Sequence, residues 1–338
     1  MTDVVALCAE LLSIKSPTGG EAKVVDFVSR RLVSRGWNVT VQEVTPGRGN
    51  IWASRSGGGV TLSTHLDTVP PYVAPKMDGD RLYGRGACDA KGIAAAMVCA
   101  AERLRESNVP IALLFVVGEE ITHDGAHAAN EAFAAGTVPN TNRIIINGEP
   151  TESTLAVGTK GAVRVTVRTT GQAAHSAYPH LGRSATQGLV RMLNDLETLA
   201  FPRDDLLGDT TVNIGALAGG VADNIVAPWA EARLMIRLVT PPEPVTEIIK
   251  EWADGRATLE WGPMVPPVRL GVVEGFTTSV AMFATDIPAL TNWGTPYLFG
   301  PGSIHVAHSD NECISVDELH RAVDAYERIA RQSLAPGN

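Results

Sequence analysis

The sequence predicts an α/β fold in which a mostly parallel sheet is sandwiched by helices, with a smaller α+β domain inserted into the chain. Up to residue 146, short apolar segments typical of buried strands alternate with amphipathic segments typical of helices. From residue 162 apolar and polar residues alternate strictly, which is typical of an antiparallel strand with one exposed face. The first pattern resumes near residue 269. We therefore predict a discontinuous larger domain, 1–159 and 270–338, and a smaller domain, 160–269.

The elements of the larger domain follow from the spacing of apolar residues. Residues 2–14 and 21–35 have helical spacing, and Gly36 stands at a C-cap-like position after the second helix. The next predicted elements are strands at 38–44 and 60–64, a helix at 92–105, a strand at 111–117, a helix at 125–135 and a strand at 143–146. The last helix opens at Ser315 with Glu318 three residues later, the pattern of a capping box.

The smaller domain is predicted to have the order β-α-β-β-α-β. Its first strand is 162–169, where Val163, Val165 and Val167 alternate with polar residues. The following elements are a helix at 184–199, strands at 211–217 and 230–239, a helix at 244–254 and a strand at 257–261. This order resembles a ferredoxin-like split unit.

Composition narrows the classes of function. The chain has 338 residues and 44% hydrophobic content, enough for a large core and for two domains. Its formal net charge of -9, without a basic block, argues against nucleic acid as a partner. The first residues lack signal-peptide features, no apolar stretch suits a membrane span, and the cysteines show no C-x-x-C spacing. We therefore expect a cytoplasmic protein with reduced, mostly buried cysteines.

Two adjacent acids, Glu119 and Glu120, follow the apolar run 111–117 and the single residue Gly118. Such a run is typical of a buried strand. Like charges at its end raise each other's pKa, so a cation is expected beside them. An arrangement in which one acid binds a metal ion and the other moves protons would explain the doublet.

Further metal-ligating side chains stand at other predicted strand ends. His65 and Asp67 follow the strand 60–64, and Glu149 follows the strand 143–146. Asp89 lies just before the helix 92–105. Sites in parallel α/β sheets form beyond the carboxyl ends of the strands. One acid at a strand end is usually a solvated cap, but this combination predicts a shared site.

The side chains predict a site for two divalent metal ions. Histidine and carboxylate ligands without cysteine suit zinc, with cobalt and manganese as alternatives. The expected ligands are His65, Asp89, Glu120, Glu149 and one later histidine. With Asp89 as the bridge, each ion has three protein ligands and an open position, and two ions about 3.5–4 Å apart can polarise a carbonyl and generate hydroxide near neutral pH. Glu119 then serves as general base, and Asp67 can hold the other imidazole N–H of His65.

The residues alone leave the last histidine open. His308 lies in a glycine-rich loop late in the chain, and His305 is a competitor three residues earlier. His123 and His127 are four residues apart and could form a metal pair on a helix face, although solvent-facing histidine is common at a helix start. His320 is expected at the surface of the last helix.

Taken together, these residues resemble the co-catalytic zinc amidohydrolase and metallopeptidase family of acetylornithine deacetylase, succinyl-diaminopimelate desuccinylase, aminoacylase and glutamate carboxypeptidase. The resemblance extends over nearly the whole chain, and its motifs occur in family order. The matching segments are Ser-Thr-His-Leu-Asp-Thr-Val-Pro at 63–70, Gly-Arg-Gly-Ala-Cys-Asp-Ala-Lys-Gly at 84–92, Gly-Glu-Glu at 118–120, Asn-Gly-Glu-Pro at 147–150, Gly-Gln-Ala-Ala-His-Ser-Ala at 171–177, and Asn213 together with Asn-Ile-Val-Ala-Pro at 224–228.

The resemblance implies a role for each site residue. His65, Asp89 and Glu149 would bind one ion, and Asp89, Glu120 and His308 the other, which favours His308 over His305. Glu119 would be the base and Asp67 the support of His65. The inserted domain would be a lid that forms a homodimer, with His175 reaching the partner's active site to stabilise the oxyanion. Residues that would hold the substrate α-carboxylate are Asn224, Arg237, Gly300 and Gly302.

The implied activity is hydrolysis of an N-acyl amino acid. The short chain and the segment Gly-Pro-Gly-Ser-Ile-His-Val-Ala-His at 300–308 look most like acetylornithine or acetyl-lysine deacetylases of amino-acid biosynthesis. Desuccinylase, dipeptidase and carboxypeptidase activities are the alternatives within the family. A non-catalytic amino-acid or peptide binder would have damaged ligands or base, and all are intact. A serine hydrolase would need a G-x-S-x-G elbow, which the sequence lacks.

Overall fold

The computed structural model describes residues 2–54, 59–137 and 143–335. Within these ranges the chain divides into two compact units. The larger unit contains Met1–Val157, Leu270–Ser279 and Thr285–Asn338, and the smaller unit contains Gly158–Arg269 and Val280–Ala284. The roles of these units as catalytic and lid domains stay predictions.

The secondary structure of the described residues consists of α-helices and strands, with two short 3-10 helices. The helices are α1 (Val4–Leu12), α2 (Ala22–Ser34), α3 (Lys91–Glu106), α4 (Asp124–Ala134), α5 (Ala185–Leu196), α6 (Pro242–Ala253) and α7 (Val316–Ser333). The strands are β1 (Asn38–Thr45), β2 (Arg48–Ser54), β3 (Val60–His65), β4 (Lys76–Asp78), β5 (Arg81–Tyr83), β6 (Ile111–Val116), β7 (Ile144–Asn147), β8 (Leu155–Thr159), β9 (Gly161–Thr170), β10 (Arg203–Asp204), β11 (Gly208–Asp209), β12 (Thr211–Gly219), β13 (Trp229–Leu238), β14 (Thr258–Val265), β15 (Val268–Arg269), β16 (Thr278–Ala281), β17 (Thr295–Phe299) and β18 (Cys313–Ser315).

The larger unit is built on one sheet with the strand order β1-β2-β6-β3-β7-β17-β8. Its centre is parallel, because β3 pairs in parallel with β6 and with β7, and β7 pairs in parallel with β17. Strands β1, β2 and β8 add antiparallel edges. The predicted mostly parallel sheet is therefore confirmed.

Both faces of this sheet are covered, as the nearly continuous apolar strands require. On one face Leu113 and Phe115 of β6 join a core formed with α1, α3 and α7. On the other face Leu114 packs with Trp293 and with α4 residues such as Phe133. Helix α7 begins with the predicted capping box, in which the side chains of Ser315 and Glu318 each accept a backbone N–H.

The smaller unit has a four-stranded antiparallel sheet in the order β12-β13-β9-β14. Its chain order of long strands and helices is the predicted β-α-β-β-α-β. Along β9, Val163, Val165 and Val167 are buried against α5 and α6, whereas Arg164 and Arg168 are exposed. The alternating sequence therefore forms the half-exposed strand that was expected.

The four cysteines are all buried, and none forms a disulfide. Among the described residues, no helix is long and apolar enough to cross a membrane.

Candidate metal centre

Four parallel strands of the larger sheet have their carboxyl ends at the same edge. Strand β3 ends at His65, β6 leads into Glu119 and Glu120, and β7 leads into Glu149. Strand β17 leads into the loop that carries His308. Because parallel strands all end at the same edge, residues distant in sequence are brought together there.

Asp89 lies between two histidines. Its Oδ1 atom is 3.0 Å from Nε2 of His65, and its Oδ2 atom is 3.1 Å from Nε2 of His308. The same His308 nitrogen is 3.1 Å from Oε2 of Glu120. Ligand atoms of His65, Asp89 and Glu120 all lie within 4.8 Å of one another. One carboxylate, that of Asp89, thus contacts both histidines.

Charge interactions in this cluster are strong. Burial opposes ionisation of Asp89, but hydrogen bonds to His308 and His65 outweigh it and hold the pKa of Asp89 below its usual value. The carboxylates of Asp89 and Glu120 raise the pKa of His308 to about 10. Without metal ions, the positive charge among these acids must come from protonated imidazoles.

Three observations fit the cluster to divalent metal ions. The buried atoms Oε1 of Glu120 and Oε1 of Glu149 have no hydrogen-bond partner within the described part of the chain, which is costly for carboxylates. Two ligands roughly 2.0–2.2 Å from one tetrahedral ion lie roughly 3.3–3.6 Å apart, slightly farther than the 3.0–3.1 Å separations around Asp89, so a small side-chain movement would admit an ion. The donor set contains only imidazole and carboxylate, which suits zinc, cobalt or manganese.

The acid doublet sits in a tight turn after β6. Gly118 has φ of 79°, and a Cβ atom there would collide with the Asp124 carboxylate, so glycine is required. The N–H groups of Glu119 and Glu120 donate to Oδ1 and Oδ2 of Asp67, at 3.1 and 3.3 Å. Asp67 therefore fixes the backbone from which both acids project.

Asp67 supports His65 in a way that differs from the expectation. Nδ1 of His65 lies 2.9 Å from the backbone carbonyl of Asp67 and 3.5 Å from its carboxylate. The carboxylate is occupied by the N–H groups of the acid doublet and by the hydroxyl of Thr18, at 2.7 Å. The carbonyl is therefore the nearer partner of the imidazole.

Glu119 is largely buried and is not among the ligand atoms grouped around Asp89. Burial, followed by the nearby charge of Glu149, raises the pKa of Glu119 well above its usual value. Nδ1 of His123 lies 3.9 Å from Glu119 and 2.8 Å from the buried carboxylate of Asp286. Glu119 is thus a largely buried carboxylate that lies outside the group of ligand atoms around Asp89.

The sequence between residues 61 and 332 matches the family model described as Peptidase family M20/M25/M40. The chain belongs to this family. A peptidase M20 domain-containing protein of Schizosaccharomyces pombe is 36% identical, covering 98% of this chain and 85% of its own length. A protein of Aspergillus terreus named probable carboxypeptidase is 36% identical, and the match covers 96% of this chain and 85% of the length of that protein. The family makes this chain a metal-dependent hydrolase of linear amide bonds.

Several solved structures share the fold of this chain at low sequence identity. A tripeptidase of Staphylococcus aureus has a TM-score of 0.80 and 21% identity, covering 98% of each chain. A metallo-carboxypeptidase of Sulfolobus solfataricus has a TM-score of 0.77 and 18% identity, covering 98% of this chain and 99% of its own. A dinuclear metal-binding peptidase of Bacillus subtilis has a TM-score of 0.70 and 16% identity, covering 97% of this chain and 96% of its own. These matches bear out the predicted fold class.

In this M20 chain, Gly300 and Gly302 are buried, and packing explains them. A Cβ atom on Gly300 would collide with the backbone of Glu149, and one on Gly302 would collide with Cys88. Their expected contact with substrate stays a prediction.

The remaining predicted residues lie in the smaller unit. His175 is exposed, forms an isolated β-bridge with Ile225, and is followed by Ser176, whose N–H donates to the carbonyl of Asn224 at 2.9 Å. His175 and Asn224 are therefore neighbours in this unit. Arg237 lies on β13 and is half-buried, and its guanidinium has no hydrogen-bond or ion-pair partner among the described residues.

The other candidate histidines have different surroundings. His127 is exposed on α4, and His123 precedes that helix in a left-handed conformation with φ of 53°. The closest metal-type grouping of His123 is with Glu119 and Asp286 and does not include His127. His305 is 81% exposed at its side chain and lies 3.7 Å from Glu152. Sequence reasoning did not single out Asp286 at all.

Proposed function

We propose that this protein uses two divalent metal ions to hydrolyse an amide bond next to a free carboxylate, as a carboxypeptidase or dipeptidase does. The main support for this proposal is that Asp89 lies between His65 and His308, while Glu119 lies outside the group of ligand atoms. Such a layout suits one bridging ligand, two ions and one free base.

The proposed ligands divide into two sets. His65, Asp89 and Glu149 would hold one ion, and Asp89, Glu120 and His308 would hold the other. Zinc is the expected metal, with cobalt or manganese as alternatives. When bound, the ions would polarise the scissile carbonyl and lower the pKa of water.

Glu119 would carry the proton. Its carboxylate accepts a proton from the attacking water and donates it to the nitrogen that leaves. The Glu119 carboxylate suits this exchange because it lies outside the group of ligand atoms around Asp89. The N–H groups bound by Asp67 keep the Glu119 backbone fixed while the side chain moves the proton.

The smaller unit would complete the site. His175 is exposed and free to donate to the developing oxyanion in a partner subunit. Burial, and then the positive charge of Arg164, lowers the pKa of Arg237, a penalty that a bound substrate carboxylate would relieve. Pairing between smaller units is supported by the edge strand β12, which is largely exposed along its length.

Substrate class is the finer part of the proposal. The names of the A. terreus and S. solfataricus relatives favour a carboxypeptidase. The segment 300–308 favours deacetylation of N-acetylornithine or N-acetyl-lysine, which we keep as the second candidate. Both substrates present a carboxylate beside the scissile amide and differ in the group on the acyl side.

A substrate panel tests the proposal. Enzyme loaded with zinc, cobalt or manganese would be assayed against dipeptides, tripeptides with free or amidated C-termini, N-acetylornithine, N-acetyl-lysine and succinyl-diaminopimelate. We expect cleavage of peptides with a free C-terminus and loss of cleavage on amidation. If acetylornithine is the only substrate that is cleaved, the protein is a deacetylase and the carboxypeptidase proposal is wrong. Equal cleavage of amidated peptides would contradict the carboxylate requirement, and no metal-dependent cleavage of any substrate would contradict the function.

A further inference from the structure

Asp89 can serve two groups of ligands only if its backbone is held firmly. Its two carboxylate oxygens face different histidines, His65 and His308, at 3.0 and 3.1 Å. A shift of the Asp89 main chain would therefore lengthen one contact as it shortens the other. The segment 84–92 that carries Asp89 is almost entirely buried, so its polar groups need partners within the protein.

Glu312 supplies several of those partners. Its Oε1 atom accepts the backbone N–H groups of Gly86 at 3.0 Å, Cys88 at 3.2 Å and Asp89 at 3.2 Å. Its Oε2 atom accepts the Nη1–H of Arg85 at 2.7 Å. One carboxylate thus accepts four N–H groups, and the Cys88 thiol at 3.7 Å, from a single loop that leads to Asp89.

The Glu312 carboxylate faces a buried cation. Its side chain is fully buried, and Oε2 lies 2.7 Å from Nη1 of Arg85. Arg85 is itself buried and also donates to the carbonyls of Pro71 and Ser309, both at 3.1 Å. Hydrogen bonds to an ionised acceptor are shorter and stronger than neutral ones.

Glu312 also connects two parts of the centre. It lies four residues after His308, directly before β18, which pairs with β5. The N–H of Gly84 donates to the Glu312 carbonyl at 3.0 Å. The chain segment that carries His308 therefore also forms hydrogen bonds with the loop that carries Asp89.

We propose that Glu312 is a positioning residue that holds Asp89 in the geometry needed to bridge two metal ions. This inference rests on the proposed function and goes beyond it, because Glu312 is neither a ligand nor the base. It acts through the main chain of Asp89. Substitution of Glu312 should therefore lower the affinity for metal ions in a protein that still folds.

The test compares Glu312→Gln with wild type. Glutamine keeps the side-chain volume, but it removes the charge and turns an amide toward either Arg85 or the three N–H groups. Zinc affinity would be measured by competition with a chromophoric chelator, and the cobalt-loaded protein would be examined by visible absorption, which reports ligand geometry. We expect affinity to fall roughly 10–100-fold at one site or both, with a changed cobalt spectrum.

Two further variants keep the test decisive. Glu106→Gln, at the exposed end of α3, is the matched control and should bind metal as wild type does. Glu312→Asp keeps the charge but shortens the side chain by one methylene group. If the glutamine variant does not fold, metal affinity is measured in the aspartate variant instead, and we expect that affinity to be lower than in wild type. Wild-type affinity and an unchanged cobalt spectrum in a folded variant would overturn the inference, as would failure of both variants to fold. If wild type binds no metal, the proposed function falls instead.

Discussion

Nε2 of His308 lies 3.1 Å from Oδ2 of Asp89, while the other oxygen of the same carboxylate lies 3.0 Å from His65. Asp89 is the single acid of the cluster that touches both imidazoles. The proposed two-metal site depends on this shared carboxylate.

Replacing His308 should remove one metal ion. In His308→Ala, the second set keeps only Asp89 and Glu120, so metal content should fall from two ions to one while the His65 set stays filled. Metal analysis after gel filtration measures this. His305→Ala is the matched control, because His305 is exposed and lies beside Glu152. Loss of metal in the His305 variant instead would exchange the roles of the two histidines.

Metal binding should release protons. In the metal-free protein the neighbouring carboxylates raise the pKa of His308 to about 10, so its imidazole is protonated at pH 7 and must lose that proton to bind metal. Affinity should therefore rise with pH between 7 and 10. Calorimetry in two buffers of different ionisation enthalpy measures the protons released, and His308→Ala should release fewer. Affinity that is independent of pH would contradict this.

The same shift sets the pH dependence of metal-free stability. A histidine whose folded pKa is raised stabilises the fold fully below its unfolded pKa, about 6.5, and that contribution is lost as pH rises through about 10. Thermal unfolding of chelator-treated protein should therefore occur at lower temperature at pH 9 than at pH 6.5. His308→Ala should flatten this slope. A steeper slope in the variant would be inconsistent with the shift.

Asp286 should influence the base from outside the cluster. Its buried carboxylate raises the pKa of Glu119 and holds Nδ1 of His123 at 2.8 Å. In Asp286→Asn, the acidic limb of the kcat/KM profile should move to lower pH by up to about one unit, with metal content unchanged. His127→Asn, on the exposed face of α4, should leave the profile in place. A limb that moves to higher pH would contradict the assigned influence.

The strand-end residues were predictable for a geometric reason. Parallel strands end at one edge, so His65, Glu120 and Glu149 had to approach one another once the strands were recognised. Strand β2, from Arg48 to Ser54, was not predicted, although the Pro46-Gly47 turn before it signals a hairpin with β1.

Other features depend on tertiary packing and leave little trace in sequence. Glu312 follows Asp310 and Asn311, a polar run typical of a solvated loop, yet it is fully buried. The carbonyl of Asp67, rather than its carboxylate, is nearest to His65 because the acid doublet's N–H groups occupy that carboxylate. No local pattern predicts which of two oxygens a neighbour takes.

The division of labour between Glu119 and Glu120 is tested most directly by measuring metal content and turnover of Glu119→Gln and Glu120→Gln side by side. Glu119→Gln should keep its metal while turnover falls roughly 10²–10⁴-fold, because the proton carrier is lost. Glu120→Gln should lose metal from the His308 side. Glu131→Gln, exposed on α4, controls for a lost charge nearby. Retained turnover in Glu119→Gln, or loss of its metal with Glu120→Gln fully loaded, would contradict the account.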